Sequence, residues 1–119
     1  MNIPIDKIKG KRILVIGDLM LDIYLRGTAN RISPEAPVPI VSAERQERIP
    51  GGAANVMVNL QALGCNVVGA GFLGHDDEGR FLLSTLQWSK ISTESIFFSE
   101  LPTIYKTRVL ANGQHIVRF

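Results

Sequence analysis

The segment RIPGGAANV, residues 48 to 56, sets two glycines directly before a helix-like stretch and puts Asn55 in its first turn. Glycine permits close backbone approach, and a helix start presents free N–H groups with a partial positive charge. Asn55 offers both donors and an acceptor, which suits the hydroxyls of a neutral polyol better than a bare phosphate. Asn59 follows one turn later on the same face. Two readings stay open on these residues alone. Gly51 and Gly52 either make a tight turn before a core helix with solvent-facing asparagines, or clear the backbone for a ligand.

A second group is GDLMLD, residues 17 to 22, which sets Asp18 and Asp22 at or beyond the carboxyl end of a first strand. Ligands of open α/β sheets bind at that edge, where carboxylates can accept hydrogen bonds from sugar hydroxyls. The alternative for each aspartate is a helix cap or a solvated loop. Third, Lys106 and Arg108 alternate on one strand face and could clamp a phosphate, Arg108 with a bidentate fork; otherwise they decorate an exposed strand. His75, Asp76 and Asp77 in GHDDEG invite a metal reading, but adjacent turn residues rarely converge on one ion. Acids at a helix start explain the pair, and no metal site is assigned. No GxxxxGK[ST] loop, Ser/His/Asp set or Cys/His set is present, so no catalytic residue is assigned.

The elements that must hold these residues follow from the apolar pattern. RILVIGD (12 to 18) reads as a buried strand. IYLRGTA (23 to 29) and PVPIVSA (37 to 43) are more polar; with Pro37 and Pro39 nearby, they read as edge or protruding strands. NRISPEAP between them is extended or turned. Val56, Leu60 and Leu63 recur at helical spacing before Gly64, a stop signal. CNVVGAGFLG (65 to 74) is a second buried strand, and DDEGRFLLSTLQWSK (76 to 90) a helix with acids in its first turn and Lys90 in its last. Strand and helix alternating in this way predict a parallel α/β sheet. In TIYKTRVLANGQHIVRF, Asn112-Gly113 predicts a two-residue hairpin. Ala111 would face Gln114 and Val109 would face Ile116, leaving Lys106 and Arg108 on one face with Leu110, Val117 and Phe119.

Composition sets the outer limits. The 119 residues suit one domain; 13 lysines and arginines against 11 acids give a net charge of +2, too little for a nucleic-acid footprint. Apolar runs such as ILVIG are far below the roughly 20 residues that span a bilayer, so no membrane association is expected. The amino terminus lacks a signal-peptide pattern. Cys65 is the single cysteine, so no intrachain disulfide can form; a reducing cytoplasm is the expected location and a buried structural thiol the expected role. The chain stops inside a strand-like run at Phe119, which raises the expectation that it is part of a longer protein.

Taken together, these stretches resemble the amino-terminal part of a PfkB, or ribokinase-like, carbohydrate kinase. GGAANVMVNLQALGCNVVGAGFLG follows that family's first signature in its glycines, Asn55, Gly64 and Gly74, and departs from it at Met57, where a small residue or Thr is usual. GDLMLDIY, RISPEAPVPIV, RIPGGAANV and PTIYKTRVL resemble, in the same order, the bacterial heptose-7-phosphate kinases, the kinase half of a bifunctional ADP-heptose synthesis protein; RISPEAPVP is the most specific of these. The resemblance covers essentially the whole chain but about the first third of a kinase domain.

That resemblance implies an α/β fold, the amino-terminal part of a three-layer α/β/α domain with a small protruding β lid. Core elements would lie at about 10–22 and 50–98, and lid strands at about 23–44 and 103–119. It implies that Asp22 binds sugar hydroxyls, with Asp18 a further candidate, and that Gly51, Gly52 and Asn55 form the substrate-side glycine motif. Lys106 and Arg108 are the candidates for the 7-phosphate. The implied reaction moves the γ-phosphoryl group of ATP, with Mg2+, to the anomeric hydroxyl of D-glycero-D-manno-heptose 7-phosphate, toward lipopolysaccharide core synthesis. The family's catalytic aspartate and nucleotide pocket lie in its carboxyl-terminal portion, so residues 1–119 alone are expected to be inactive and to bind ATP poorly. The implied partners are the sugar phosphate and a second subunit joined through the lid. A free-standing carbohydrate-binding or dimerisation module, or a PfkB kinase for another sugar, are the competing readings.

Overall fold

The computed structural model describes residues 5–36 and 39–119, without the side chains of residues 5, 30, 31, 39 and 41. The chain forms two compact units. The first takes the chain up to Leu21 together with Pro50–Ile104; the second takes Asp22–Ile49 and Tyr105–Phe119.

After a single-turn helix α1 (Ile5–Ile8), the first unit is built on β1 (Arg12–Ile16), β4 (Asn66–Gly74) and β5 (Ser92–Ser99), joined as a sheet in the order β1-β4-β5. Both pairings are parallel: Arg12 lies opposite Asn66, Ile16 opposite Ala70, and Gly74 opposite Ser99. Helix α2 (Ala53–Ala62) leads into β4, and α3 (Asp77–Trp88) crosses from β4 to β5, as parallel strands require. The sequence signals two of these strands; β5 is a third, whose run STESIFFS lacks clean alternation.

The core of this unit gathers Leu19, Leu21, Met57, Cys65, Leu73, Leu82 and Leu86, all fully buried. Cys65 sits there as a free, buried thiol. Helix α2 buries Ala54 and Met57, whereas Val56 and Leu63 remain 47% and 42% exposed. The helix is apolar nearly all round, so apolar spacing alone could not choose its packed face. Met57, larger than the residue usual at that place, fits because β4 offers Gly69. A Cβ there would come within 2.7 Å of Met57 Sδ and 3.2 Å of Ile96 Cδ1. Helix α3 ends at Trp88, so Lys90 is not in its last turn; it lies beyond the helix at φ 65°. Leu14, Ile16, Phe72 and Phe97 stand 57–72% exposed, and the rings of Phe72 and Phe97 lie 6.4 Å apart.

The second unit holds most of a four-stranded sheet in the order β3-β2-β6-β7: β2 (Leu19–Ile32), β3 (Pro39–Gly52), β6 (Ile104–Ala111) and β7 (Gln114–Arg118). Of the two early strands read as edge or protruding, only the second takes an edge position in this sheet. β2 is interior, flanked by β3 and β6, whereas β3 lies at an edge of the sheet. The reason is local: β2 contains no proline and can pair on both sides, while β3 contains Pro39 and Pro50, which an edge tolerates. Pro37 and Val38, the start of the strand read from the sequence, lie outside the described residues. At Gly27 the Ser42 carbonyl leaves no room for a Cβ.

The β6–β7 hairpin turns through Asn112 (φ 52°) and Gly113 (φ 77°), the doubly positive pattern of a type I′ turn. Ala111 faces Gln114, but a bulge between Val109 and Leu110 changes the register beyond it: Val109 pairs with Val117 and Arg108 with Arg118. One extra residue sends every later side chain of β7 to the opposite face. Val117 and Phe119 therefore do not share the face of Lys106 and Arg108. They lie with Thr107 and Val109, and Thr107 exchanges backbone hydrogen bonds with Phe119.

Candidate functional site

In the first unit the chain leaves β1 at Ile16 and turns through Gly17 and Asp18 into β2. Helix α2 starts against that turn, with the Ala53 N–H donating to the Asp18 carbonyl at 2.9 Å. Gly52 takes φ 56° and ψ −133°, a conformation that a side chain disfavours. A Cβ on Gly52 would also lie 2.6 Å from the Asp18 oxygen and 2.9 Å from Met20 Cγ. The protein's own main chain thus accounts for the glycine at 52. Gly51 is buried beside it. Asn55 lies exposed in the first turn of α2, and its Oδ1 accepts from Asn59 Nδ2 at 3.4 Å. No side chain caps this helix start.

Asp18 lines a cleft of ≈ 430 Å³ together with Gly17, Phe72, Gly74, Ser99 and Thr103. These residues lie at the carboxyl ends of β1, β4 and β5 and in the segment that follows β5, the edge where parallel α/β sheets bind ligands. The Asp18 carboxylate has no hydrogen-bond or ion-pair partner among the described residues. The lining is mixed, with apolar Phe72 and Leu101 beside the hydroxyl-bearing Ser99 and Thr103.

The wall of this cleft is fixed by Asp76, read from the sequence as an acid at a helix start, and by Thr103, which sequence reading did not single out. Asp76 caps α3, accepting from Gly79 N at 2.8 Å. Its other oxygen accepts from Thr103 N at 2.8 Å, and the Thr103 hydroxyl donates to Asp76 Oδ1 at 2.6 Å. That hydroxyl in turn accepts from Gly74 N at 2.8 Å, so the end of β4, the start of α3 and residue 103 are tied into one unit. Desolvation pushes the Asp76 carboxyl upward, but the Thr103 hydroxyl, Thr103 and Gly79 N–H groups and the Arg80 charge together hold it below the ordinary value of 3.8. The cap was legible from Asp76 and Gly79 three residues apart; Thr103, 27 residues away, was not.

In the second unit Asp22 opens the less buried face of β2, with no hydrogen-bond or ion-pair partner for its carboxylate among the described residues. Tyr24 and Arg26 follow at alternate positions. Arg108 Nη1 donates to Tyr24 Oη at 2.8 Å, and the Arg108 and Arg26 guanidinium carbons lie 5.4 Å and 5.6 Å from the Tyr24 ring centre. Arg26 is ion-paired to Glu47 at 3.0 Å, and Arg45 reaches the same oxygen at 3.0 Å. Lys106 is half-buried on the Arg108 face of β6. The structure thus groups Asp18 with Gly52 in one unit and Asp22, Lys106 and Arg108 in the other. Tyr24, Asp76 and Thr103 are the additions. Among the described residues no three His, Cys, Asp or Glu side chains converge as metal ligands. No helix of the described residues is long and apolar enough to cross a membrane.

Comparison with known proteins agrees with this architecture. The pfkB family carbohydrate kinase profile matches residues 11–119. The bifunctional protein HldE of Magnetococcus marinus is 50% identical over 109 residues, which is 91% of this chain and 22% of that protein. The HldE proteins of Aliivibrio fischeri and Aeromonas hydrophila are 45% and 42% identical, over 89% and 99% of this chain. The chain therefore spans about a quarter or less of these relatives, 22% and 25% in the last two cases. Among solved structures, a carbohydrate kinase from Agrobacterium tumefaciens superposes with a TM-score of 0.72 at 23% identity, covering 92% of this chain and 34% of that one. The ribokinase of Arabidopsis thaliana, solved with ribose and ATP, gives 0.70 at 19% identity, covering 93% and 36%. The fold is ribokinase-like, and the chain belongs to the pfkB family of carbohydrate kinases.

Proposed function

We propose that this pfkB-family chain is the sugar-binding part of an ATP-dependent kinase acting on the anomeric hydroxyl of D-glycero-D-manno-heptose 7-phosphate. The observation that carries this reading is the 42–50% identity to proteins named bifunctional HldE, spread over 89–99% of the chain. It is supported by the resemblance of RISPEAPVP to the bacterial heptose-7-phosphate kinases.

In this reading Asp22 accepts hydrogen bonds from sugar hydroxyls, and Asp18, at the carboxyl edge of the parallel sheet, is a second acceptor. Gly51 and Gly52 set the start of α2 so that Asn55 is presented to the sugar. Lys106 and Arg108 meet the 7-phosphate. ATP and Mg2+ bind residues outside this chain, so residues 1–119 alone turn over no substrate. A second subunit packs through the lid strands, and the enzyme works in the cytoplasm.

The test is ATP consumption by the full-length protein with a panel of sugars. The heptose 7-phosphate should be preferred over ribose and fructose 6-phosphate. Asn55→Ala and Asp22→Ala should lower kcat/KM by about tenfold or more, since polar partners in the closed site would be left unpaired. Wild-type kinetics in both variants would remove the two residues from the site.

A further inference from the structure

Asp76 and Thr103 make a tighter joint than a helix cap needs. A cap requires one acceptor for one free N–H, and Gly79 supplies that N–H. The Asp76 carboxylate accepts two further hydrogen bonds, from the Thr103 N–H at 2.8 Å and from its hydroxyl at 2.6 Å. The same hydroxyl accepts from Gly74 N at 2.8 Å. Two glycines make room for this arrangement. A Cβ on Gly74 would lie 2.5 Å from Thr103 N and 2.7 Å from Asp76 Oδ2, and one on Gly79 would lie 2.8 Å from the Thr103 hydroxyl. Thr103 is buried, so a partner lost from the joint leaves an unpaired polar group rather than a solvated one.

The joint stands at a crossing point of the chain, which passes between the two units after Leu21, after Ile49 and after Ile104. Near the first two crossings the link is a main-chain hydrogen bond, from the Ala53 N–H to the Asp18 carbonyl. At the third it is the Asp76 carboxylate, holding the residue immediately before β6. β6 carries Lys106 and Arg108. Thr103 lines the cleft that contains Asp18, but its one hydroxyl proton goes to Asp76, so it has none to donate to a ligand there. We propose that Asp76 and Thr103 are positioning residues for the sugar substrate, their joint fixing the root from which β6 leaves the first unit. A strand places its side chains through its backbone, and misplacing a positioning group by about 1 Å can cost about a hundredfold in rate. The inference rests on the heptose-phosphate kinase reading for its substrate.

The experiment compares full-length wild type, Thr103→Val and Thr103→Ser, with heptose 7-phosphate as the varied substrate and at a temperature well below the Tm of each. Valine keeps the shape and removes both hydroxyl bonds, whereas serine keeps them. Thr103→Val should raise the KM for the sugar phosphate by about tenfold and leave the KM for ATP within about twofold, and Thr103→Ser should stay within about twofold of wild type in both. A joint that only stabilises the fold would lower the Tm of Thr103→Val and leave its sugar KM unchanged. That result overturns the proposal, and so does an equal rise in the serine variant. If the wild type does not phosphorylate heptose 7-phosphate, the kinase reading fails, and the joint is judged by hydrogen exchange on the same proteins. Faster exchange of the amides of 104–108 in Thr103→Val, with those of 66–72 unchanged, sustains the fixed root. Unchanged or uniformly faster exchange overturns it.

Discussion

Gly52 and Asp76 show how much the site depends on single residues that bind nothing themselves. Gly52 is held at φ 56° with the Asp18 oxygen 2.6 Å from where a Cβ would be. Gly52→Ala should therefore lose about 1–3 kcal/mol in urea unfolding. Asp76 gives a pH signature. Its carboxyl titrates below the ordinary value of 3.8 in the folded protein, so its stabilisation is complete above that value and is lost as pH falls through the lowered one. Asp76→Asn should cost about 1–2 kcal/mol near neutral pH. The gap between variant and wild type should narrow as the pH drops below about 4, the unfolded carboxyl range. Urea titrations from pH 7 to pH 3 read this directly, and a gap that widens toward acid would contradict the assignment.

At the scale of elements, the packing of α2 on β4 and the hairpin register are the two features that sequence reading handled least well. Alternation of strand and helix, the acids at the start of α3 and Asn112-Gly113 made the parallel α/β unit and the hairpin legible, because each is a local signal. The face of α2 was not, since apolar residues surround it and only tertiary packing selects Ala54 and Met57. The bulge beyond Val109 was not either, and it moved Val117 and Phe119 away from Arg108 while bringing Arg118 to it. Asp22 and Asn55 were legible as candidates from their places at a strand end and a helix start, and resemblance supplied their roles; Tyr24 and Thr103 emerged only once separate strands were paired. The Met57–Gly69 fit can be tested as a coupled pair. Gly69→Ala should destabilise by about 1–3 kcal/mol through overpacking against the Met57 sulfur. Combined with Met57→Ala it should cost less than the sum of the two single changes, read by a double-mutant cycle. Strict additivity would show that the contact carries no strain.

At the scale of the whole molecule, these 119 residues present a parallel sheet with Leu14, Ile16, Phe72 and Phe97 at 57–72% exposure. Contiguous apolar area of this kind drives association in water. Residues 1–119 produced alone should self-associate with rising concentration in sedimentation velocity, and Leu14→Lys with Phe72→Glu should return them toward monomer. The central claim concerns chemistry, and it is that this sugar-binding part serves a heptose-phosphate kinase. The most direct measurement is ATP-dependent phosphorylation by the full-length protein, with heptose 7-phosphate, ribose and fructose 6-phosphate compared at equal concentration. The account predicts a heptose bisphosphate product formed at a kcat/KM at least about a hundredfold above the others, the discrimination expected when site polar groups must be matched. Equal or faster turnover of ribose or fructose 6-phosphate would contradict it.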